Sequence, residues 1–336
     1  MRAVGYRHPS PIAAPDSLVD IDLPRPVPAG HDLLVEIRAI SVNPVDTKVR
    51  QRPLPDEAWH VLGWDGAGVV REVGPEVVGF KPGDAVFYAG DLTRPGTNAE
   101  FNLVDCRIAA KKPASLGFAE AAALPLTSIT AWEALFDRLQ IARPVPGAAK
   151  AVLIVGGAGG VASMAVQLAR TLTDFAVIAT ASRPASRAWL EALGAHHVID
   201  HRQPLAGQVA ALGLGAPGCV FSTTHTGEHL PEIAKLIAPQ GRIALIDDPE
   251  WLDILPFKRK SVSVHWEFMY TRSMFSTADL AEQGRLLTEV ARLVDAKTLR
   301  TTVAENFGRI CAENLKRAHA LLESETARGK IVLEGF

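Results

Sequence analysis

The chain has 336 residues, 48% of them hydrophobic and 21% charged, with a formal net charge of -2. That is length and apolar content for two ordinary cores, and it leaves no global field to gather nucleic acid or an anionic membrane. The longest basic cluster is Lys258-Arg259-Lys260 and reads as a solvated face. No apolar run is long enough to span a bilayer, and MRAVGYRHPSP at the N-terminus is not of signal-peptide type, so the expected location is cytoplasmic. Cys106, Cys219 and Cys311 lie far apart, form no CxxC pair and read as reduced thiols.

To about residue 125 the chain reads as β-rich. Runs such as LLVEIRAISV (33–42), GAGVVREV (66–73) and GDAVFYAG (83–90) are separated by Pro and Gly turns, a pattern that suits a partly closed barrel. From about 120 the rhythm changes. FAEAAALPLTSITAWEALF (118–136) predicts a helix broken at Pro125. AVLIVGG (151–157), FAVIATAS (175–182), HHVID (196–200), PGCVFST (217–223) and GRIALID (241–247) predict buried strands. Helices at 161–172 and 183–195 fall between the first of them, which implies right-handed crossovers in a parallel sheet. SVSVHWEF (261–268) alternates, 280–296 and 313–325 predict helices, and KIVLEG (330–335) predicts a final strand that returns to the first domain.

The most informative segment is VLIVGGAGGVASMAVQLA (152–169): strand, glycine-rich turn, helix. Gly156, Gly157, Gly159 and Gly160 would let the backbone approach a pyrophosphate, and the helix starting near Val161 would offer it free amides and the positive end of a dipole. Ala162 takes the place of the third glycine of GxGxxG. The second strand ends TASRPASR (180–187), with no Asp or Glu for ribose hydroxyls. Ser182, Arg183 and Arg187 stand there instead, and guanidiniums pair with phosphate, so the expected cofactor is NADP(H). His201 is a candidate to stack on adenine. Ligands of such sheets lie past the carboxyl ends of the strands, which adds Ser222, Thr223, Asp247 and Asp248, with Phe268 and Met269 as covers for the nicotinamide.

These residues, with ISVNPVDTKVR (40–50), VLGWDGAGVVREVGPEVVGFKPGDAV (61–86), ALPLTSITAWEAL (123–135) and RGKIVL (328–333), resemble the medium-chain dehydrogenase/reductase superfamily. More narrowly they are similar to its quinone oxidoreductase-like and zinc-type alcohol dehydrogenase-like members. The resemblance implies an α/β chain: a GroES-like β-barrel catalytic domain from residues 1–125 and 265–336, and a Rossmann domain from 126–264. It implies that Asn43 and Asp46 line the cleft near the nicotinamide with Lys48 close by, that Thr127 and Thr130 lie near the nicotinamide ribose or amide, and that Lys330 meets a phosphate. It also implies a homodimer, for which VSVHWEF (262–268) is the candidate edge.

The departures decide the chemistry expected. Zinc-bearing members carry a Cys where this chain has NPVD, and a His-Glu pair where Trp64 and Asp65 follow Gly63. Four clustered cysteines for a structural zinc are missing. Zinc needs three or four N or S ligands, so no metal is expected, although Asp65, His60 and His265 remain open as ligands. Without a metal, substrate activation falls to hydrogen bonds and placement, which suits electrophilic quinones and enones. Asn43 is then a candidate donor to the substrate oxygen, Trp64 a pocket wall, Asp65 the centre of a polar network, and Tyr88 and Tyr270 candidate proton donors. Two other readings stay open: a zinc-type alcohol or aldehyde dehydrogenase, and a non-catalytic NADP-binding redox sensor. No motif points to nucleic acid or a membrane, and the expected partner is a small carbonyl or quinone.

Overall fold

A computed structural model describes every residue of Met1–Phe336 except Pro55. The chain divides into two compact units, Met1–Ile129 with Tyr270–Phe336, and Thr130–Met269.

The first unit is built on two sheets. The strand Arg2–Tyr6 pairs with Val19–Asp22 and with His60–Val61. The larger sheet is centred on Asp32–Val42, which pairs antiparallel with Asp65–Val73, Phe101–Asp105 and Lys330–Glu334. The sheet continues through Ala85–Tyr88 to Ala109–Lys111. In the long strand Leu33–Val35 and Ile37 are buried between half-buried Asp32 and Glu36 and exposed Arg38, and Ala39–Val42 are buried throughout. The C-terminal strand does return to this unit. Ile331 pairs with Val42, which brings Lys330 level with Asn43. Helices Glu282–Asp295 and Ala312–Glu323 bury their apolar faces here.

The second unit is a six-stranded, all-parallel sheet. In spatial order its strands are His197–Ile199, Ala176–Thr180, Ala149–Val155, Pro217–Ser222, Arg242–Leu245 and Ser263–Trp266. The first strand in sequence lies in the middle, so strand order reverses on either side of Ala149–Val155. Its residues Ala151, Leu153 and Val155 are fully buried and pack in one core with Ile178, Val220, Ile233 and Ile243. Helices Leu205–Ala211 and Thr226–Leu236 complete the crossovers.

The helix predicted over 118–136 is three pieces: Phe118–Ala122, Pro125–Trp132, and a π-helical turn over Glu133–Arg138. The break falls just before Pro125, which lacks an amide to continue the first piece and starts the second. Among the described residues no helix is long and apolar enough to cross a membrane.

Candidate active site

In the second unit, the glycine turn leaves the strand Ala149–Val155 and enters the 13-residue helix Gly160–Leu172. Gly156 has φ +139°, and a Cβ on it would lie 1.7 Å from Thr223 Oγ1. Thr223 is fixed there because its N–H and hydroxyl both donate to the Val155 carbonyl, at 2.8 and 3.0 Å. Gly157 has φ +63° and nothing nearer its Cβ position than the Thr180 carbonyl at 4.0 Å. Glycine is therefore required at Gly156 for packing and at Gly157 for backbone shape. With Gly159 as N-cap, the amides of Gly160, Val161 and Ala162 have no partner within the helix. The turn thus fits a pyrophosphate.

The neighbouring loops fall into place unevenly. Arg183 is the N-cap of helix Pro184–Ala192, and Ser182 precedes it at the end of the second strand. Arg187 does not reach that loop. Its Nη1 donates to the Val198 carbonyl, and Glu191 lies 3.9 Å away. Ser222 and Asp247 are likewise engaged in the scaffold. Ser222 Oγ meets Thr226 Oγ1 at 2.7 Å, and Asp247 accepts from the Thr226 amide at 2.8 Å, capping helix Thr226–Leu236. The His201 ring lies 6.2 Å from that of His229, and burial lowers the pKa of both. Phe268 is half-exposed, and Met269 and Thr130 are buried.

In the first unit, a buried polar cluster forms where three strand ends meet. Asn43 follows the long strand and caps helix Pro44–Arg50. Asp65 begins its strand opposite Ser41. The turn before Asp65 needs Gly63, since a Cβ there would lie 2.4 Å from Asn98 Oδ1. Lys330, 3% exposed, donates to the Val42 carbonyl at 3.0 Å, to Asp65 Oδ2 at 3.1 Å, and to Asn43 Oδ1. Asn43 Nδ2 donates to Asp65 Oδ2 at 2.8 Å, and the Leu126 amide donates to Asp65 Oδ1 at 2.8 Å. Burial pushes the Asp65 carboxyl up, while the Lys330 ammonium and these donors pull it back toward the ion. We read Asp65 and Lys330 as an ion pair.

Three sequence expectations change here. Lys330 spends all three donors inside the cluster and keeps none for a phosphate. The Asn43 amide is held between Lys330 and Asp65, with its second N–H near the Ser41 carbonyl at 3.3 Å, so it is a scaffold group rather than a free donor to substrate. Tyr88 is fully buried, burial raises its pKa, and its hydroxyl proton is committed to Asn102 Oδ1 at 2.9 Å. Thr127 back-bonds to the Leu124 carbonyl at 3.2 Å within its own helix.

Asp46 behaves differently. Its Oδ2 accepts from the Asn43 amide at 2.9 Å, but Oδ1 is buried with no partner among the described residues. Burial, only partly offset by that bond and by Lys330, pushes its pKa up to about 7. Trp64 is buried and meets Tyr270 edge-on, with ring centroids 6.2 Å apart. It lines a cavity of about 260 Å³ with Gly90, Asp91, Arg94 and Ser273. Burial, then the charges of Asp46, Asp65 and Asp91, raise the Tyr270 pKa. Lys48 is exposed.

A zinc ion does not suit this donor set. Asp65 already has an ammonium against it, Trp64 offers no lone pair, and His60 pairs with exposed Asp56 at 3.0 Å. Among the described residues no three His, Cys, Asp or Glu are grouped to hold a metal ion.

Comparison with known proteins agrees with this architecture. Residues 29–130 match the family model described as alcohol dehydrogenase GroES-like domain, and residues 193–333 match that described as zinc-binding dehydrogenase. A zinc-type alcohol dehydrogenase-like protein of Staphylococcus aureus (strain MSSA476) is 37% identical over 99% of both chains. A quinone oxidoreductase of Lama guanicoe is 28% identical over 93% of this chain and 91% of its own. A crystal structure from Rhizobium etli CFN 42, provisionally described as a zinc-dependent alcohol dehydrogenase, is 65% identical and superposes with TM-score 0.99 over 100% of this chain and 98% of that one. The parallel sheet with its glycine turn, the barrel-like unit and these relatives together make the chain a nicotinamide-dependent oxidoreductase of the medium-chain dehydrogenase/reductase superfamily.

Proposed function

We propose that the chain transfers hydride from NADPH to a quinone or an α,β-unsaturated carbonyl, without zinc. The observation that carries this reading is the buried Lys330–Asn43–Asp65 cluster, in which a lysine ammonium already supplies the cation. A saturated alcohol must lose a proton and a hydride together, a reaction that a Lewis acid assists. A quinone or enone is already electrophilic and needs chiefly to be oriented. The quinone oxidoreductase among the relatives supports the same substrate class.

NADPH supplies the hydride from its nicotinamide when bound. The amides at Gly160 and Val161 take the pyrophosphate, and Ser182 with Arg183 takes the 2'-phosphate. Hydride addition to an enone leaves an enolate that needs a proton. Asp46, with its pKa near 7, is the acid of the cluster that exchanges a proton at neutral pH, and its Oδ1 is the atom that carries it.

The chain works as a homodimer through the free edge of the parallel sheet. Ser263–Trp266 is the terminal strand and Trp266 is 55% exposed there. Light scattering with size exclusion on wild type and Trp266→Lys checks this: a dimer that becomes a monomer supports it, and a wild-type monomer refutes it.

The reaction is tested by following NADPH absorbance with a benzoquinone, an enone, an aldehyde and an alcohol–NADP+ pair. Turnover of quinone or enone with little aldehyde or alcohol activity is the expected result. Activity confined to the aldehyde or alcohol, and rising with added zinc, would replace this reading with a zinc dehydrogenase.

A further inference from the structure

The loop after the second strand was expected to offer two guanidiniums to a phosphate, those of Arg183 and Arg187. Arg187 is turned to the Val198 carbonyl. The structure brings another guanidinium to the same loop. Arg202 follows the strand His197–Ile199, which lies beside Ala176–Thr180 with Ile199 level with Thr180. Its Nη2 donates to the Ser182 carbonyl at 3.1 Å. Its Nε and Nη2 grip Asp200 at 3.2 and 2.8 Å, and its own backbone N–H donates to Asp200 at 2.9 Å.

The side chain is thus ordered although 64% exposed. Among the described residues its Nη1 has no partner. With Nε and both Nη2 hydrogens engaged, the tethered guanidinium keeps its Nη1 N–H groups and its positive charge for a phosphate oxygen, and its ordering precedes the ligand.

We propose that Arg202 is a cofactor-selecting residue, its Nη1 taking the 2'-phosphate of NADPH beside Ser182 and Arg183. The proposal rests on the NADPH reading above. Asp200 sharpens the selection. While Arg202 holds it, the carboxylate is neutralised, its pKa held to about 2 by those hydrogen bonds. With Arg202 gone, a bare carboxylate would stand beside the phosphate and repel it. His201, next in the chain, is within electrostatic reach of Arg183 and Arg202, so the three side chains border one region.

The test is KM and kcat for NADPH and NADH in wild type, Arg202→Ala, Arg202→Lys, the double variant Arg202→Ala/Asp200→Asn, and Arg187→Ala. Loss of a charge-assisted pair predicts a roughly ten- to hundredfold rise in KM for NADPH in Arg202→Ala. KM for NADH should stay within about twofold and kcat should hold. Arg202→Lys should keep part of the preference, since an untethered point charge replaces the held guanidinium. Removing Asp200 as well should restore part of the NADPH affinity, and Arg187→Ala should move both cofactors alike. A wild type that prefers NADPH and keeps that preference in Arg202→Ala would overturn the assignment while leaving the NADPH reading intact. Equal losses for both cofactors would make Arg202 a staple of its turn. A wild type indifferent to the 2'-phosphate would overturn the NADPH reading and this proposal together.

Discussion

Lys330→Met isolates the energetic role of the buried cluster. Methionine keeps the length and apolar stem of lysine, so little packing is lost. The ammonium goes, and with it the bonds to Val42, Asn43 and Asp65. Asp65 then remains fully buried with only the Asn43 and Leu126 donors. Breaking one side of a buried pair costs about 3–5 kcal/mol, because the remaining charge is uncompensated. For a unit of this size, each kcal/mol lowers Tm by about 2–4 °C, so the variant should melt roughly 6–20 °C lower. Replacing both partners by apolar groups is often near neutral, so Lys330→Met/Asp65→Leu should regain most of the loss. The deficit of the single variant should also shrink in acid, where Asp65 takes up a proton. Calorimetry of the three proteins at pH 8 and pH 5 reads all of this. A single variant within about 1 kcal/mol of wild type, or a double variant less stable than the single one, would refute the ion-pair account.

Other consequences follow from the same geometry. Gly156→Ala would drive a Cβ into Thr223 Oγ1, so it should cost about 1–3 kcal/mol and weaken NADPH binding in a fluorescence titration; unchanged affinity would count against the glycine turn as the pyrophosphate site. His319 is buried with neither ring nitrogen partnered among the described residues, and burial lowers its pKa to about 3. The unfolded chain takes up a proton below about pH 6.5 that the folded chain refuses, so stability should fall by about 2 kcal/mol between pH 7 and 5 from this group. His319→Leu should flatten that slope in urea titrations, and an unchanged slope would contradict it. Asp46 has the opposite sense: its raised folded pKa makes stability fall as pH rises from about 4 through 7, by about 4 kcal/mol in all. Asp46→Asn should therefore gain stability relative to wild type at pH 8 but not at pH 4.

The dinucleotide turn was legible because its signals are local. An apolar strand, four glycines and an amphipathic helix follow one another within 152–169. The parallel sheet was legible for the same reason. Two of its helices were not. Thr226–Leu236 begins after His225 in a left-handed conformation and contains Pro231, both of which break the usual helix signature. Leu205–Ala211 is too short to show a period. The polar cluster was half legible. Asn43, Asp46 and Asp65 stand out as residues where zinc-bearing members place ligands or their neighbours, but Lys330 is 287 positions from Asn43. Only the register of Lys330–Glu334 against the long strand brings it there, and no local pattern encodes register at that distance. Arg202 was missed likewise, since it approaches Ser182 through the pairing of neighbouring parallel strands.

The most direct test of metal-free hydride transfer is turnover and metal content in one sample. The protein is dialysed exhaustively against a strong chelator, its zinc is measured by mass spectrometry, and NADPH oxidation by an enone or quinone is followed before and after zinc is returned. Undiminished turnover with metal far below one ion per chain is the result this account predicts. Turnover lost with the metal and restored by stoichiometric zinc would contradict it.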